Sequence, residues 1–224
     1  MKNISLNTIF LYLIKIIKNL TRIFLKKQYL FLLICVLFIS CNGNKDRWNL
    51  YNVEGHLPNL NFSLEKSGGE IITQKKFEGK IVLLFFGYTN CPDICPTTMA
   101  QLTSVLDQLG KEKSKDISIL FVSVDPYRDK SNNLQNYLNS FNKDIMGLTG
   151  NEHQISSLAK RYRVAYQIDK PIDKNIETMG SDSYDITHSR GIYIFDRKGK
   201  ARLLASNTDS IKIVKDDLLK LINE

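Results

Sequence analysis

The sequence predicts an α/β protein with a partly parallel central sheet. Two near-continuous apolar runs, Lys80–Gly87 and Ile117–Val124, have the pattern of strands that are buried on both faces. Each run is followed by a stretch whose apolar residues recur at helical spacing. Strands that alternate with helices are typical of a layered α/β sheet, and 224 residues are enough for one such domain with a leader.

The first predicted element is an N-terminal β-hairpin. Asn59–Glu65 alternates between apolar and polar side chains, as a half-buried strand does. Gly68 and Gly69 favour a turn, after which Glu70–Gln74 continues as the second strand. The first buried strand comes next, and a loop over Tyr88–Pro96 leads from it into a helix.

Three helices in the middle of the chain are predicted from their apolar stripes. The stripes are Met99, Leu102, Leu106 and Leu109 in the first helix, Leu134, Tyr137, Leu138 and Phe141 in the second, and Ile155, Leu158, Ala159 and Tyr162 in the third. A short strand, Ile145–Leu148, precedes the third helix, which Thr149 or Asn151 caps. The polar residues 168–183 lack periodicity and are predicted to form a loop.

The chain closes with a second hairpin and a helix. Gly191–Asp196 and Ala201–Ala205 pair across the turn Arg197–Lys200, and residues 211–222 carry a helical apolar stripe. This order of elements fits a thioredoxin-like fold. We therefore expect a central mixed sheet that is flanked by helices and preceded by the N-terminal β-hairpin.

The formal net charge of +8 does not indicate nucleic-acid binding. Residues 1–40 contain six of the 31 basic residues and no acidic residue, which leaves 25 basic against 23 acidic residues in the rest of the chain. No basic block there is long enough to follow a phosphate backbone. Nucleic acid is therefore not an expected partner.

Residues 1–40 are predicted to be a signal or leader segment. Two lysines precede an apolar run, Tyr29–Ile39, which is shorter than the roughly 20 residues that span a bilayer. The run leads to Cys41, which resembles the lipidated cysteine of a bacterial lipoprotein, although Phe38 stands where Leu is usual.

An uncleaved membrane anchor is the alternative to a lipoprotein. In either case residues 41–56 form a polar tether, and residues 57–224 form the folded domain. We expect the protein to be tethered to a membrane with this domain facing the periplasm.

Two cysteines remain for the folded domain, since Cys35 lies in the apolar run of the leader and Cys41 is the predicted lipidation site. Cys91 and Cys95, with three residues between them, lie in the loop after the first buried strand, and ligand sites collect at that end of parallel strands. Pro96 suits the first position of the next helix, which puts Cys95 where the helix dipole favours a thiolate. The pair is a disulfide, a redox-active pair or a soft-metal site.

His188 is the candidate for a third ligand. It stands directly before the strand 191–196, and by analogy with thioredoxin-like folds the loop that enters this strand faces the cysteine loop. His56 lies in the predicted tether, and His153 lies in the first turn of a predicted helix, where a solvated side chain is expected.

Three aspartates near the same edge of the sheet are not expected to bind metal. Asp125 follows the second buried strand in an Asp-Pro turn, and Asp129 is predicted to cap the next helix. Asp93 lies between the cysteines, but a carboxylate is a hard ligand, whereas a pair of thiolates selects soft metal ions.

Three segments of the chain together resemble the Sco/SenC family, thioredoxin-like proteins of cytochrome c oxidase assembly. The segments are Gly87–Pro96 (GYTNCPDICP), Val122–Asp129 (VSVDPYRD) and Tyr184–Ser189 (YDITHS). They occur in the family's order, and the resemblance covers about residues 54–223.

The resemblance implies a copper metallochaperone with Cys91, Cys95 and His188 as ligands of Cu(I) or Cu(II). Its expected partner is subunit II of cytochrome c oxidase or another copper-handling protein. The alternative is a thiol–disulfide oxidoreductase in which Cys91 and Cys95 are the redox-active pair and act on cysteines of a partner. His188 separates the two hypotheses, because dithiol exchange needs no third ligand. Peroxide reduction is a weaker third hypothesis, since only the placement of a cysteine between strand and helix supports it.

Overall fold

The structure is a computed structural model and describes residues 48–169 and 184–224. Ten strands lie in this part of the chain: β1 (Tyr51–Asn52), β2 (Ser63–Lys66), β3 (Ile71–Thr73), β4 (Ile81–Gly87), β5 (Ile117–Ser123), β6 (Ile145–Thr149), β7 (Tyr166–Asp169), β8 (Asp185–His188), β9 (Gly191–Phe195) and β10 (Ala201–Ser206). The helices there are α1 (Ile94–Ser114), α2 (Ser131–Asn139), α3 (Glu152–Arg161) and α4 (Ile211–Ile222), with a short 3-10 helix at Gln74–Phe77.

Eight of these strands form one sheet in the order β1-β10-β9-β4-β5-β6-β2-β3. Strands β4, β5 and β6 are parallel, and the other neighbours are antiparallel. All seven residues of β4 are buried, because both faces of the sheet are covered. The mixed sheet flanked by helices that the sequence predicts is confirmed.

The core lies in two layers, one on each face of the sheet. Residues Ile81, Leu83 and Phe85 of β4 pack with the layer that contains α1, α2 and α4, and Val82, Leu84 and Phe86 pack with the layer that contains the N-terminal hairpin and α3. The alternation follows from the pleat of a strand, which points successive side chains to opposite faces.

Helix α1 begins earlier than the sequence predicts. Its first residue is Ile94, and the N–H group of Thr97 donates to the carbonyl oxygen of Asp93 at 3.2 Å. The first N–H groups of a helix have no acceptor within it, so Pro96 fits inside the first turn without losing a hydrogen bond. The expectation that Pro96 opens the helix and keeps Cys95 outside it is wrong.

Strands β1, β7 and β8 are missing from the sequence prediction. β7 and β8 pair only with each other and form a two-stranded sheet apart from the large one. β7 extends into the predicted loop 168–183, of which residues 170–183 lie outside the described residues. These strands are short and mostly polar or half exposed, so they carry no strong alternating pattern.

The boundaries of leader, tether and domain remain predictions, because residues 1–47 lie outside the described part of the chain. Residues 48–224 form one compact unit. Within the range predicted as a tether, β1 pairs with β10, and Leu50 and Val53 are buried. The backbone N–H groups of Asn49 and Leu50 both donate to a carboxylate oxygen of Asp217 in α4, each at 2.8 Å.

Candidate metal centre

The two cysteines lie at the C-terminal end of β4. We call residues 88–95, which join β4 to the first turn of α1, the cysteine arm. Cys91 is half-buried, and Cys95 is fully buried against the sheet. A Cβ atom on Gly87 would lie only 2.6 Å from the Cys95 sulfur, so the absence of a side chain at Gly87 makes room for that thiol.

His188 reaches the same place from the opposite side, at the end of β8. We call β7 and β8 the histidine ribbon. The imidazole packs edge-on against the rings of Phe85 and Tyr88, with centroids 6.0 and 5.8 Å away. Its Nδ1 lies 2.9 Å from the carbonyl oxygen of Ser189, which can only accept, so Nδ1 carries the proton. Nε2 is therefore left with a free lone pair.

Three potential ligand atoms converge here. Nε2 of His188 lies 3.4 Å from Sγ of Cys95 and 3.9 Å from Sγ of Cys91, and all three atoms lie within 4.8 Å of one another. Three atoms about 4 Å apart each lie about 2.3 Å from the centre of their triangle, which is the length of a zinc–thiolate bond. Two sulfurs and one imidazole nitrogen are a donor set for a soft or borderline metal ion.

The two thiols differ in their protonation. The hydrogen bond that Cys95 donates is the largest cause that lowers the pKa of Cys91, to about 3, although partial burial opposes the shift. The same bond to Cys91, together with burial, raises the pKa of Cys95 well above its ordinary value. The proton that the pair shares therefore stays on Cys95. The sequence predicts the thiolate at Cys95, and the structure favours it at Cys91, because Cys95 donates the hydrogen bond between the two sulfurs and is the more deeply buried of the two.

Asp129 fastens the cysteine arm to the end of β5. Its buried carboxylate accepts hydrogen bonds from the Thr89 N–H group at 3.0 Å, from the Thr89 hydroxyl and from the Ser123 hydroxyl at 2.7 Å. Burial raises the pKa of Asp129 even though these bonds oppose the shift. The predicted helix cap is wrong: the N-cap of α2 is Lys130, which makes no side-chain capping bond.

Asp125 and Arg128 connect the end of β5 to the histidine ribbon. The predicted turn is confirmed, since the Arg128 N–H group donates to a carboxylate oxygen of Asp125 at 3.4 Å. The bonds to Tyr184 are not apparent from the sequence. Its hydroxyl donates to Asp125 at 2.7 Å, and its carbonyl oxygen accepts from Nη1 of Arg128 at 2.9 Å. All three residues lie in the segments that resemble the Sco/SenC family, which was the available signal.

The remaining candidates are not among the converging ligand atoms or lie outside the described residues. His56 and His153 are exposed, as is Asp93, which accepts a hydrogen bond from Thr97 at 3.4 Å. Cys41 lies in the part that the structure does not describe. Within residues 48–169 and 184–224, no other group of three His, Cys, Asp or Glu side chains is placed to hold a metal ion.

A thioredoxin-like sheet with two thiols and an imidazole at the end of its parallel strands defines a class of dithiol proteins that can hold a soft metal. The profile of the SCO1/SenC family matches residues 54–223. The chain belongs to this family.

Individual relatives agree with the family assignment. The chain is 36% identical to an SCO2-like protein of Rickettsia prowazekii over 140 residues, which are 62% of this chain and 64% of that protein. It therefore spans less than two thirds of that relative.

Solved structures of the family match the fold over most of the chain. Arabidopsis thaliana ScoI, solved with copper bound, has a TM-score of 0.65 at 30% identity and covers 74% of this chain and 98% of its own. Bradyrhizobium japonicum ScoI, also solved with copper bound, has a TM-score of 0.63 at 31% identity and covers 73% and 98%.

Proposed function

We propose that this protein binds one copper ion through Sγ of Cys91, Sγ of Cys95 and Nε2 of His188, and that it is a copper metallochaperone. The observation that carries the proposal is the convergence of these three atoms, with Nε2 left unprotonated by the bond from Nδ1 to Ser189. Thiolates select soft ions, and Cu(I) is the softest of the common biological candidates. The copper-bound relatives support copper over zinc.

The proposed acceptor is the copper centre of cytochrome c oxidase subunit II, as membership of the Sco/SenC family implies. Copper is the cargo, and it leaves by exchange of one protein ligand at a time for a ligand of the acceptor. Cys91 is the ligand that a partner reaches first, because it is half-buried while Cys95 is fully buried. Transfer therefore begins at the Cys91 sulfur.

We propose that the leader and tether hold the domain at a membrane, facing the periplasm. The support is in the sequence: a basic and apolar segment over residues 1–40, followed by Cys41 as the lipidation site. In the part of the chain that the structure describes, no helix is long and apolar enough to cross a bilayer. The intact mass of the protein from a native membrane fraction distinguishes a lipidated Cys41 from an uncleaved anchor.

Thiol–disulfide exchange is the second candidate function. The free thiols of Cys91 and Cys95 lie together, and the lowered pKa of Cys91 supplies a thiolate nucleophile. The Cys91 thiolate attacks a disulfide of the partner and releases one partner thiolate, after which Cys95 closes the Cys91–Cys95 disulfide and releases the second. Two electrons pass to the partner, and the dithiol is oxidised.

The test is copper titration of the reduced full-length chain against a competing Cu(I) chelator. We expect one copper per chain, and Cys91→Ala or Cys95→Ala abolishes tight binding because one thiolate and an imidazole are too few soft ligands. His153→Ala is the matched control, since its imidazole is exposed and is not among the converging ligand atoms. A cysteine variant that still holds one Cu(I) per chain would contradict the proposal.

His188→Ala separates the chaperone from the oxidoreductase. We expect the variant to lose most of its copper affinity while Cys91 and Cys95 still cycle through a disulfide, which needs no imidazole. The measurements are copper binding, disulfide exchange and oxidase activity in a complemented strain. Normal oxidase activity without copper binding would sink the chaperone and leave the oxidoreductase standing.

A further inference from the structure

The histidine ribbon depends on a few side-chain contacts for its position. Its strands pair with each other and, in the described part of the chain, with no strand of the large sheet. Ser189 bonds back to Ala165 through its backbone N–H group at 2.8 Å and through its hydroxyl at 3.1 Å, which closes the ribbon upon itself. The distance from His188 to the two sulfurs therefore depends on the contacts between β8 and the large sheet with its loops.

Arg128 makes that connection at the start of β8. Its Nη1 donates to the carbonyl oxygen of Tyr184 at 2.9 Å, and its guanidinium lies 3.7 Å from the centre of the Tyr184 ring. Its Nε donates to Asp125, which also accepts from the Tyr184 hydroxyl at 2.7 Å. The three residues form a closed ring of contacts between the end of β5 and the ribbon.

The ring of contacts is shielded from water. The side chain of Arg128 is 9% exposed and that of Asp125 is fully buried. Hydrogen bonds between charged groups are stronger in such surroundings, and removing one partner leaves the other charge buried without compensation. The connection is therefore stiff, unlike an ion pair on the surface.

Arg128 also touches the cysteine arm. Its guanidinium lies 5.6 Å from the ring centre of Tyr88, and that ring packs edge-on against the imidazole of His188. The Tyr88 hydroxyl accepts from the N–H group of Ile186 in β8 at 3.5 Å. One guanidinium thus lies where the strand that carries His188 meets the arm that carries the cysteines.

We infer that Arg128 is a positioning residue for His188, which it holds at bonding distance from a metal ion shared with Cys91 and Cys95. The expected effect on copper binding rests on the proposed copper site. The position of the imidazole can be tested without metal. Arginine is required because its planar fork bonds a carboxylate and a carbonyl at once and stacks on an aromatic ring, whereas lysine offers a single ammonium group.

The test compares Arg128→Gln with Arg128→Lys in the full-length chain. Outer partners of metal ligands typically contribute roughly 10- to 100-fold in metal affinity, so we expect Cu(I) affinity to fall by that factor in Arg128→Gln. Arg128→Lys should recover part of the loss, because it restores the charge next to Asp125 without the fork. Arg202→Gln is the matched control, since Arg202 is 12% exposed and also lies in a cluster of acids.

A copper-free readout keeps the inference separate from the proposed function. The chain contains three histidines, so selective 15N labelling gives three pairs of imidazole nitrogen signals, one pair for each ring. The native signal of His188 should show a proton on Nδ1 and none on Nε2, and Arg128→Gln should shift it toward the ordinary mixture of tautomers. The signals of His56 and His153 should not move, and Arg202→Gln should leave all three unchanged.

Tyr184→Phe covers the case in which Arg128→Gln does not fold. It removes one hydroxyl and its bond to Asp125 but keeps the ring under the guanidinium, and we expect a smaller shift of the His188 signal in the same direction. An unchanged His188 signal in both variants, or native copper affinity in Arg128→Gln, would overturn the inference. A native chain that binds no copper would overturn the proposed function. The imidazole signals would still show whether Arg128 positions His188.

Discussion

The cysteine arm and the histidine ribbon meet at one point but are built very differently. The cysteine arm leaves a central strand of the large sheet, and Cys95 has no exposed surface. The histidine ribbon is a separate pair of short strands, and His188 is held by ring contacts and by the residues at the base of β8. The position of the sulfurs is therefore set by the large sheet, whereas the position of the imidazole depends on a few buried contacts at the base of β8.

The largest expected effect tests whether Cys91 in the cysteine arm stays a thiolate when the imidazole of His188 is removed. Because the bond from Cys95 is the main cause of the lowered pKa of Cys91, His188→Ala should leave Cys91 a thiolate. At about pH 6 an ordinary thiol with a pKa near 8.5 is mostly protonated, so Cys91 should carry on the order of 100-fold more thiolate. The measurement is the rate of iodoacetamide alkylation at each cysteine by mass spectrometry.

The sign of the pH dependence follows from the lowered pKa. The alkylation rate of Cys91 should stay level as the pH falls from about 8 to about 5, whereas an ordinary thiol loses a factor of roughly 1,000 over that range. Cys95, whose pKa is raised, should react slowly throughout. A Cys91 rate that falls tenfold per pH unit in the native chain would contradict this picture of the arm.

The next effect concerns the rigidity of the cysteine arm. In Gly87→Ala the new Cβ would lie 2.6 Å from the Cys95 sulfur and 2.8 Å from ring atoms of Phe85 and Phe121. Overpacking of this kind should lower the free energy of unfolding by about 3 kcal/mol and displace Cys95 from the other two ligand atoms. Denaturant unfolding and Cu(I) competition measure the two consequences.

Gly147→Ala is the control for Gly87→Ala. Its Cβ would meet Leu134 and Leu138 at 2.8 and 2.9 Å, in the core but away from the cysteines. Both variants should lose stability, and only Gly87→Ala should also lose copper affinity while still folded. Equal copper affinity in the two variants would show that the close approach of Gly87 to Cys95 does not matter for the site.

The smallest effect concerns the hydrogen bonds between Thr89 of the cysteine arm and Asp129. Thr89→Val keeps the shape of the side chain but removes the hydroxyl that donates to this buried carboxylate. Since a hydrogen bond to a charged group contributes about 1.5 kcal/mol, we expect a loss of that size in the free energy of unfolding. Thr97→Val is the control, because its hydroxyl donates to an exposed carboxylate, and it should change stability much less.

The large sheet and the helices that cover it are the part of the fold that the sequence predicted well. The strands β4 and β5 are continuous apolar runs, and the helices carry regular stripes, because these elements are buried by the main core. The histidine ribbon was missed because β7 alternates only between exposed and half-exposed residues, and β8 buries only Ile186 and is half-exposed at His188. A strand that buries little apolar surface has only a weak alternation of apolar and polar residues in its sequence.

The candidate site shows the same limit. The spacing of Cys91 and Cys95 and the position of His188 point to a shared centre before any coordinates are considered. The roles of Asp125 and Asp129 could not be read in this way, because Tyr184 and Thr89, which donate to them, lie 59 and 40 residues away in the chain. Local rules assign such aspartates to turns and caps, and only the turn was correct.

The pairing of β1 with β10 limits what can fold while the chain is being synthesised, because the two strands lie far apart in the sequence. Asp217, which accepts from the N–H groups of Asn49 and Leu50, follows Asn49 by 168 residues. A growing chain exposes both thiols about a hundred residues before the imidazole that completes the candidate centre, and its first strand has no partner until later still. His188 must be made before the triad is whole, and Asp217 before the N-terminal strand is held in place, so a chain cut short after α1 carries two thiols without the imidazole and without this contact.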